Sequence, residues 1–148
     1  MVAKRDGGRQ GHSRYRVVDS SVVVAAFASW HEGNRSAAAV LAREPRVPAH
    51  VLAETYSVLT RLPSPHRAPS VVVTAFLAQR FRQVPLTLPA RAWSRLLGLA
   101  SEAGITGGAV YDALIGATAH HAGATLFTRD RRATAVYEKL RISYELVI

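Results

Sequence analysis

Four carboxylates lie where the surrounding sequence makes an acidic side chain unexpected. Asp19 and Asp130 each follow a β-rich run, and Asp112 lies within an apolar run near the predicted start of a helix. Glu54 has valines three positions before it and four positions after it, so it projects from the apolar face of its helix. Each acid alone has an ordinary explanation as a helix cap, a partner of a helix dipole or a partner of an arginine. Together they could hold a divalent metal ion and support hydrolysis.

The spacing of these acids predicts that they meet at one edge of a sheet. From Asp112 a helix carries the chain away over about ten residues, or ~15 Å, and the next strand returns over about five residues, or ~17 Å. Asp130 therefore comes back beside Asp112. We expect Asp19 at the same carboxyl edge, where open α/β folds place their ligand crevice. Glu54, in the first turns of its own helix, opens onto that edge as well.

Such a cluster of acids is predicted to need a counterion. Two carboxylates a few Å apart repel each other by about 3 to 4 kcal/mol at an effective dielectric of about 20. At neutral pH either protons or a divalent cation must therefore occupy the cluster. An all-oxygen ligand set suits Mg²⁺ or Mn²⁺. One or two such ions would activate water and orient a phosphodiester, which is the chemistry of a nuclease.

The elements that must position these acids alternate between strand and helix. The predicted strands cover residues 15–18, 46–48, 84–87, 124–128 and 142–147. The predicted helices cover residues 22–30, 34–43, 49–62, 68–82, 89–103, 109–122 and 130–140. Because helical crossovers separate the strands, we expect a single three-layer α/β/α domain with a mostly parallel central sheet.

The charge balance of the chain favours a polyanionic partner. The 148 residues include 19 Lys and Arg against 10 Asp and Glu, which gives a net charge of +9. A surplus of this size favours RNA or DNA as the partner. An arginine-rich composition that follows from codon usage is the alternative explanation.

The chain contains no cysteine and no run of about 18 apolar residues. Thiolate metal sites, disulfides and cysteine nucleophiles are therefore excluded. No secretion signal is evident at the N-terminus, so we expect a soluble cytoplasmic protein that does not enter a membrane.

Residues 1–14 are predicted to form a flexible basic arm outside the folded domain. They carry four basic side chains against one acid, together with three glycines and almost no apolar residue. Such a segment cannot bury enough surface to become ordered. We expect the folded nuclease domain to cover residues 15–148.

Four short motifs, in this order, resemble those of the PIN-domain ribonucleases and, more narrowly, of the VapC toxins of prokaryotic toxin–antitoxin modules. The motifs are Asp19-Ser20-Ser21, Ala53-Glu54-Thr55, Tyr111-Asp112-Ala113-Leu114-Ile115 and Leu126-Phe127-Thr128-Arg129-Asp130-Arg131-Arg132. The resemblance covers residues 16–148 and implies an endoribonuclease that a cognate antitoxin inhibits by covering the active-site groove. We also expect a homodimer. The basic arm departs from the family, because these toxins usually begin almost at the first strand.

The resemblance also implies roles for individual residues. The acids that would hold Mg²⁺ or Mn²⁺ and catalyse cleavage by a metal-activated water are Asp19, Glu54, Asp112 and Asp130. Ser20 and Thr128 match hydroxyl positions that support the acidic site. Arg129, Arg131 and Arg132 surround the last acid and are candidates for holding RNA phosphates, the alternative being an ordinary exposed helix start.

Two other functions stay open at this point. A phosphoryl-transfer protein of haloacid-dehalogenase or receiver type would also place acids at the end of the first parallel strand. Such a protein needs a lysine at the site, and neither Lys4 nor Lys139 lies at a predicted strand end in the body of the fold. A non-catalytic PIN module that only binds RNA or a protein partner would have no physical reason to keep mutually repelling acids. The aromatic residues carry a separate expectation. We place Trp30, Trp93, Tyr56 and Tyr111 in the core or at a dimer interface rather than on a base-stacking surface.

Overall fold

A mostly parallel sheet forms the centre of the domain. The computed structural model describes residues 15–148 and the backbone of Val2–Lys4. Its strands are β1 (Val2–Lys4), β2 (Arg16–Val18), β3 (Thr125–Thr128) and β4 (Tyr144–Val147), in the order β1-β4-β3-β2. Strands β2, β3 and β4 are parallel, whereas β1 pairs with β4 in the antiparallel direction.

Helices flank this sheet. They are α1 (Ser20–Phe27), α2 (Asn34–Leu41), α3 (Ala49–Arg61), α4 (Ser70–Arg80), α5 (Trp93–Glu102), α6 (Ala109–His121) and α7 (Arg131–Lys139). Helix α1 packs against α2 and α3, and α6 packs against α5 and α7. The predicted α/β architecture is confirmed. Among the described residues, no helix is long and apolar enough to cross a membrane.

The core lies between the sheet and its helices. Val17 and Val18 of β2 and Leu126 of β3 are fully buried, as expected for strands that are covered on both faces. Val22 of α1 packs into the same cluster, and so does the ring of Tyr137 from α7. The packing of these buried residues therefore fixes the positions of the strands and of their carboxyl ends.

A tight turn returns the chain from α6 to β3. Gly123 has a φ of 67°, and its N–H donates to the carbonyl of His120 at 2.9 Å. A residue with a Cβ atom would be strained in this left-handed conformation, so glycine suits the end of the helix. The chain reverses direction here, as the eighteen-residue spacing between Asp112 and Asp130 predicts.

Two of the predicted strands are wrong. Residues 46–48 and 84–87 make only isolated bridges, in which Arg46 pairs with Val17 and Pro48 pairs with Leu86. Pro48 has no N–H group, so a ladder of hydrogen bonds cannot continue through it. The first helix also lies earlier than predicted, since it starts at Ser20 and ends before residue 28.

Most of the arm predicted over residues 1–14 lies outside the described residues. Its described part forms β1, an edge strand in which Ala3 pairs with Leu146, and the sequence analysis did not predict this strand. Backbone hydrogen bonds to a neighbouring strand need no apolar side chains, so hydropathy alone does not reveal them. The boundary between arm and domain stays a prediction.

Candidate active site

Asp19 lies directly after β2 and caps helix α1. Its Oδ1 accepts hydrogen bonds from the Ser21 hydroxyl at 2.5 Å and from the Val22 N–H at 3.3 Å, and its Oδ2 accepts one from the Tyr137 hydroxyl at 3.5 Å. The residue is only 4% exposed. Burial raises the pKa of Asp19 to about 6, although hydrogen bonds from Ser21, Thr128 and Val22 oppose this rise. The negative charge of Asp130 adds a smaller rise.

Asp112 lies in the first turn of α6 and is half-buried. Burial raises its pKa to about 6, and the negative charges of Asp130 and Glu54 raise it further. The positive charges of Arg132 and His50 lower the pKa of Asp112 but do not outweigh the other effects. Nearby protein cations therefore do not fully offset the negative charge around Asp112.

Glu54 and Asp130 have hydrogen-bond partners of their own. The Ser20 hydroxyl donates to Glu54 Oε1, and His50 Nε2 lies 3.3 Å from Glu54 Oε2, one helical turn earlier on α3. Asp130 caps α7, where it accepts a hydrogen bond from the Arg132 N–H at 2.9 Å. Both acidic side chains are about one-third exposed, so both are accessible to solvent.

The buried hydroxyl of Tyr137 is within electrostatic range of all four candidate acids. Burial raises the pKa of Tyr137, and the negative charges of all four acids raise it further: Asp19, Asp112, Asp130 and Glu54. The connection from β2 to β3, which includes α3 and α6, thus brings four acids to one region of the molecule, although more than a hundred positions separate the first from the last.

The donor atoms suit a hard divalent cation, but they are not arranged to hold one as they stand. Among residues 15–148, no three His, Asp or Glu side chains converge closely enough to coordinate a single ion. Asp19, Glu54 and Asp130 are instead each turned toward their own hydrogen-bond partners. The all-oxygen set, whose negative charge Arg132 and His50 offset only in part at Asp112, fits Mg²⁺ or Mn²⁺. Coordination would require some of these side chains to rotate.

Ser21 is a supporting residue that the sequence analysis missed. Its hydroxyl donates to Asp19 and accepts a hydrogen bond from the Arg129 N–H at 2.7 Å, so it joins the ends of β2 and β3. Thr128, which was predicted to support the site, accepts a hydrogen bond from the Asp130 N–H at 3.0 Å and lies 3.4 Å from the Ser21 hydroxyl. Ser20 and Ser21 both follow Asp19, so the sequence alone does not show that Ser21 contacts Asp19 and that Ser20 contacts Glu54.

Replacing Ser21 with alanine should lower the stability of the protein more than replacing Ser20. Ser21→Ala leaves the partly buried Arg129 N–H without its acceptor and removes a donor from Asp19, which costs about 1 to 3 kcal/mol. Ser20→Ala removes a single hydrogen bond to a carboxylate that stays accessible to water. Urea unfolding of the two variants measures the difference, and equal losses would contradict the bridging role of Ser21.

The three candidate arginines differ in their surroundings. Arg131 and Arg132 are exposed at the start of α7, and the side chain of Arg132 is 96% exposed. Arg129 instead crosses the backbone of Gly33 and donates from its guanidinium to the Val147 carbonyl at 3.2 Å. A Cβ atom at Gly33 would lie 2.1 Å from Arg129 Cζ, so glycine is needed for this close approach. Arg129 also lines a cavity of about 360 Å³ beside Ser20 and Ser21.

The sequence and the fold both match one family. Residues 16–139 match the PIN domain. The chain belongs to the PIN-domain family. Ribonuclease VapC40 of Mycobacterium tuberculosis is 51% identical to this PIN-domain chain over 129 residues, which cover 87% of the chain and 96% of that protein. Ribonuclease VapC27 of the same organism is 41% identical over 126 residues, which cover 84% of the chain and 91% of that protein.

A solved toxin structure has the same fold. The crystal structure of Mycobacterium tuberculosis VapC20, described as a Sarcin-Ricin loop cleaving toxin, matches with a TM-score of 0.63 and 21% sequence identity. The match covers 82% of this chain and 94% of VapC20. The resemblance to PIN-domain ribonucleases, the fold and the assignment as a VapC ribonuclease toxin of a toxin–antitoxin system are thus confirmed. The alternative of a phosphoryl-transfer protein of receiver type is wrong, because the chain matches a different family.

Proposed function

We propose that this VapC ribonuclease cleaves RNA phosphodiesters at the four-acid cluster with the help of Mg²⁺ or Mn²⁺. The observation that carries this proposal is that all four acids lie close enough to the Tyr137 hydroxyl to raise its pKa, while the positive charges of Arg132 and His50 do not outweigh the acids at Asp112. The pKa values of Asp19 and Asp112 are both raised, chiefly by burial and further by the charge of Asp130, so a divalent cation bound beside them would be favoured at neutral pH.

The residues that would hold the ion are Asp19, Glu54, Asp112 and Asp130. When bound, it would offset their charge, activate a water molecule and stabilise negative charge on the phosphate. The chain's own contribution is to fix the acids. Ser21 and Tyr137 orient Asp19, and Ser20 orients Glu54.

The substrate is held by charge. Arg131 and Arg132 are exposed next to Asp130, and Arg132 keeps a 96% exposed side chain although its Nε lies 3.7 Å from Asp130 Oδ1. Both can bind phosphates beside the cleaved bond. Arg129 contributes less in this proposal, because its guanidinium is tied to the Val147 carbonyl. The net charge of +9 steers RNA to this surface and makes binding weaken with salt.

The partners follow from the same proposal. A cognate antitoxin covers the groove and inhibits cleavage in the cytoplasm, where the RNA is found. The protein also forms a homodimer in this proposal, and exposed apolar side chains such as Val71 of α4, at 72%, and Leu97 of α5, at 53%, are candidates for its interface. Light scattering of the purified protein measures its mass and tests the dimer.

Mg²⁺ or Mn²⁺ should stabilise the wild-type protein and activate it toward RNA. A ligand at 100 times its Kd adds about 2.7 kcal/mol to the free energy of unfolding. Asp112→Asn should lose this gain, whereas Glu102→Gln removes an exposed acid at the end of α5 and should keep it. Thermal unfolding and RNA cleavage with and without EDTA provide the readout. Cleavage that persists in EDTA would overturn the proposed function.

A further inference from the structure

A stacked pair of aromatic rings lies beside the acid cluster. The rings of His50 and Tyr111 have centroids 5.1 Å apart and planes inclined by only 3°. His50 lies in the first turn of α3, four residues before Glu54, and Tyr111 immediately precedes Asp112 on α6. The pair therefore bridges the two helices that carry two of the candidate acids.

Tyr111 is the outer ring of the pair. Tyr111 is 53% exposed, while the His50 side chain is 31% exposed. Of the two places expected for Tyr111, the core is ruled out by this exposure and a dimer interface stays a prediction. The exposed ring is accessible to a ligand. The His50 ring is itself held by Glu54, with 3.3 Å between His50 Nε2 and Glu54 Oε2. The Tyr111 ring is thus oriented in advance, which reduces the entropy lost when another ring stacks on it.

We propose that a base of the RNA, next to the phosphodiester that is cleaved, stacks on the exposed part of Tyr111. This inference rests on the proposed function and adds a substrate-positioning residue to it. The ring of Tyr111 lies against His50, and His50 in turn lies 3.3 Å from Glu54 and close enough to Asp112 for its charge to act on that acid. A base on Tyr111 would therefore belong to a nucleotide near a phosphate bound at these acids. Proteins bind single-stranded RNA by stacking its unpaired bases on aromatic side chains. Arg131 and Arg132 can hold phosphates but give the strand no such anchor for a base.

Stacking is tested by replacing Tyr111 with leucine and with phenylalanine. Tyr111→Leu keeps an apolar side chain but removes the ring, and it should raise KM for a randomised single-stranded RNA pool about tenfold with kcat changed less than about twofold. Tyr111→Phe keeps the ring and should behave like the wild type. Tyr56→Leu is the matched control, because Tyr56 is 40% exposed on α3 and should leave KM unchanged.

A second measurement detects stacking without cleavage. In the Asp19→Asn background, an RNA pool that carries 2-aminopurine in place of adenine should lose fluorescence on binding, because a stacked ring quenches that base. Adding Tyr111→Leu should remove most of this quenching, and adding Tyr56→Leu should not. This readout does not require an active enzyme.

The outcomes separate this inference from the proposed function. Wild-type KM and quenching in Tyr111→Leu, alongside cleavage that still depends on Asp112, would overturn the stacking role and leave the nuclease proposal intact. An equal loss in Tyr111→Phe would also overturn the stacking role, because the ring is present there. The nuclease proposal fails if the wild-type protein shows no divalent-dependent cleavage. In that case the fluorescence measurement still tests stacking, and unchanged quenching in Tyr111→Leu would overturn the stacking role as well.

Discussion

Replacing Asp112 with asparagine should reduce RNA cleavage on the order of a thousandfold and leave the protein folded. A divalent metal ion contributes several kcal/mol of transition-state stabilisation, and Asp112→Asn removes a charge that would hold it. Asparagine has the size of aspartate, and Asp112 is half-buried in the first turn of α6 rather than packed in the core. Asp19→Asn should have an effect of similar size.

The measurement is single-turnover cleavage of RNA by the purified variants at saturating Mg²⁺ or Mn²⁺, with circular dichroism as the check on folding. Glu102→Gln, which removes one negative charge from an exposed position on α5, should cleave like the wild type. In cells, expression of the wild type should arrest growth, while expression of Asp112→Asn should not. Full activity of either Asp19→Asn or Asp112→Asn would contradict the role of the acid cluster.

The general position of the acids could be predicted from the sequence because it depends on regular geometry. A helix and a strand have fixed rises per residue. A helix, a glycine turn and a strand that together span eighteen residues therefore return Asp130 to the end of the helix at which Asp112 lies. Capping also could be predicted, since Asp19 and Asp130 each precede a helix and each accept a hydrogen bond from its first turn. The roles of these acids in catalysis stay a prediction.

The partners of the acids could not be predicted, because they come from packing across long stretches of sequence. Tyr137 contacts Asp19 from 118 positions away, and its periodic position on α7 predicts only that it is buried. The stacking of His50 on Tyr111 depends on the angle between α3 and α6, which no local pattern specifies. The wrongly predicted strands at 46–48 and 84–87 have the same explanation. β-rich composition does not show whether a neighbouring segment pairs with a run of residues or, as here, through an isolated bridge.

Without divalent cations, the wild-type protein should lose stability as pH rises from about 4 to about 8, relative to Asp19→Asn. The folded-state pKa of Asp19 is raised from 3.8 to about 6, so the folded protein binds more protons than the unfolded chain between these values. The associated stability is fully present below the unfolded pKa and is lost as pH rises through the folded pKa. A shift of about two units corresponds to a loss on the order of 3 kcal/mol.

Asp19→Asn removes this loss and preserves the local hydrogen bonds. The asparagine oxygen can accept from Ser21 and Val22 as the carboxylate does, and its amide can donate to the Tyr137 hydroxyl. At about pH 8 in EDTA the variant should therefore melt roughly 6 to 12 °C above the wild type, and at about pH 4 the two should melt together. Glu102→Gln should follow the wild-type curve at both pH values.

Divalent cations should reverse the order of the two proteins. Saturating Mg²⁺ or Mn²⁺ stabilises the wild type by binding only its folded state, whereas Asp19→Asn has lost one charge of the cluster and gains less. The wild type should thus approach or exceed the variant in melting temperature once the cation is added. If Asp19→Asn melts below the wild type in EDTA at about pH 8, the negative charge at this position is already balanced by the protein itself. The electrostatic reason for a cation at this edge of the sheet then disappears.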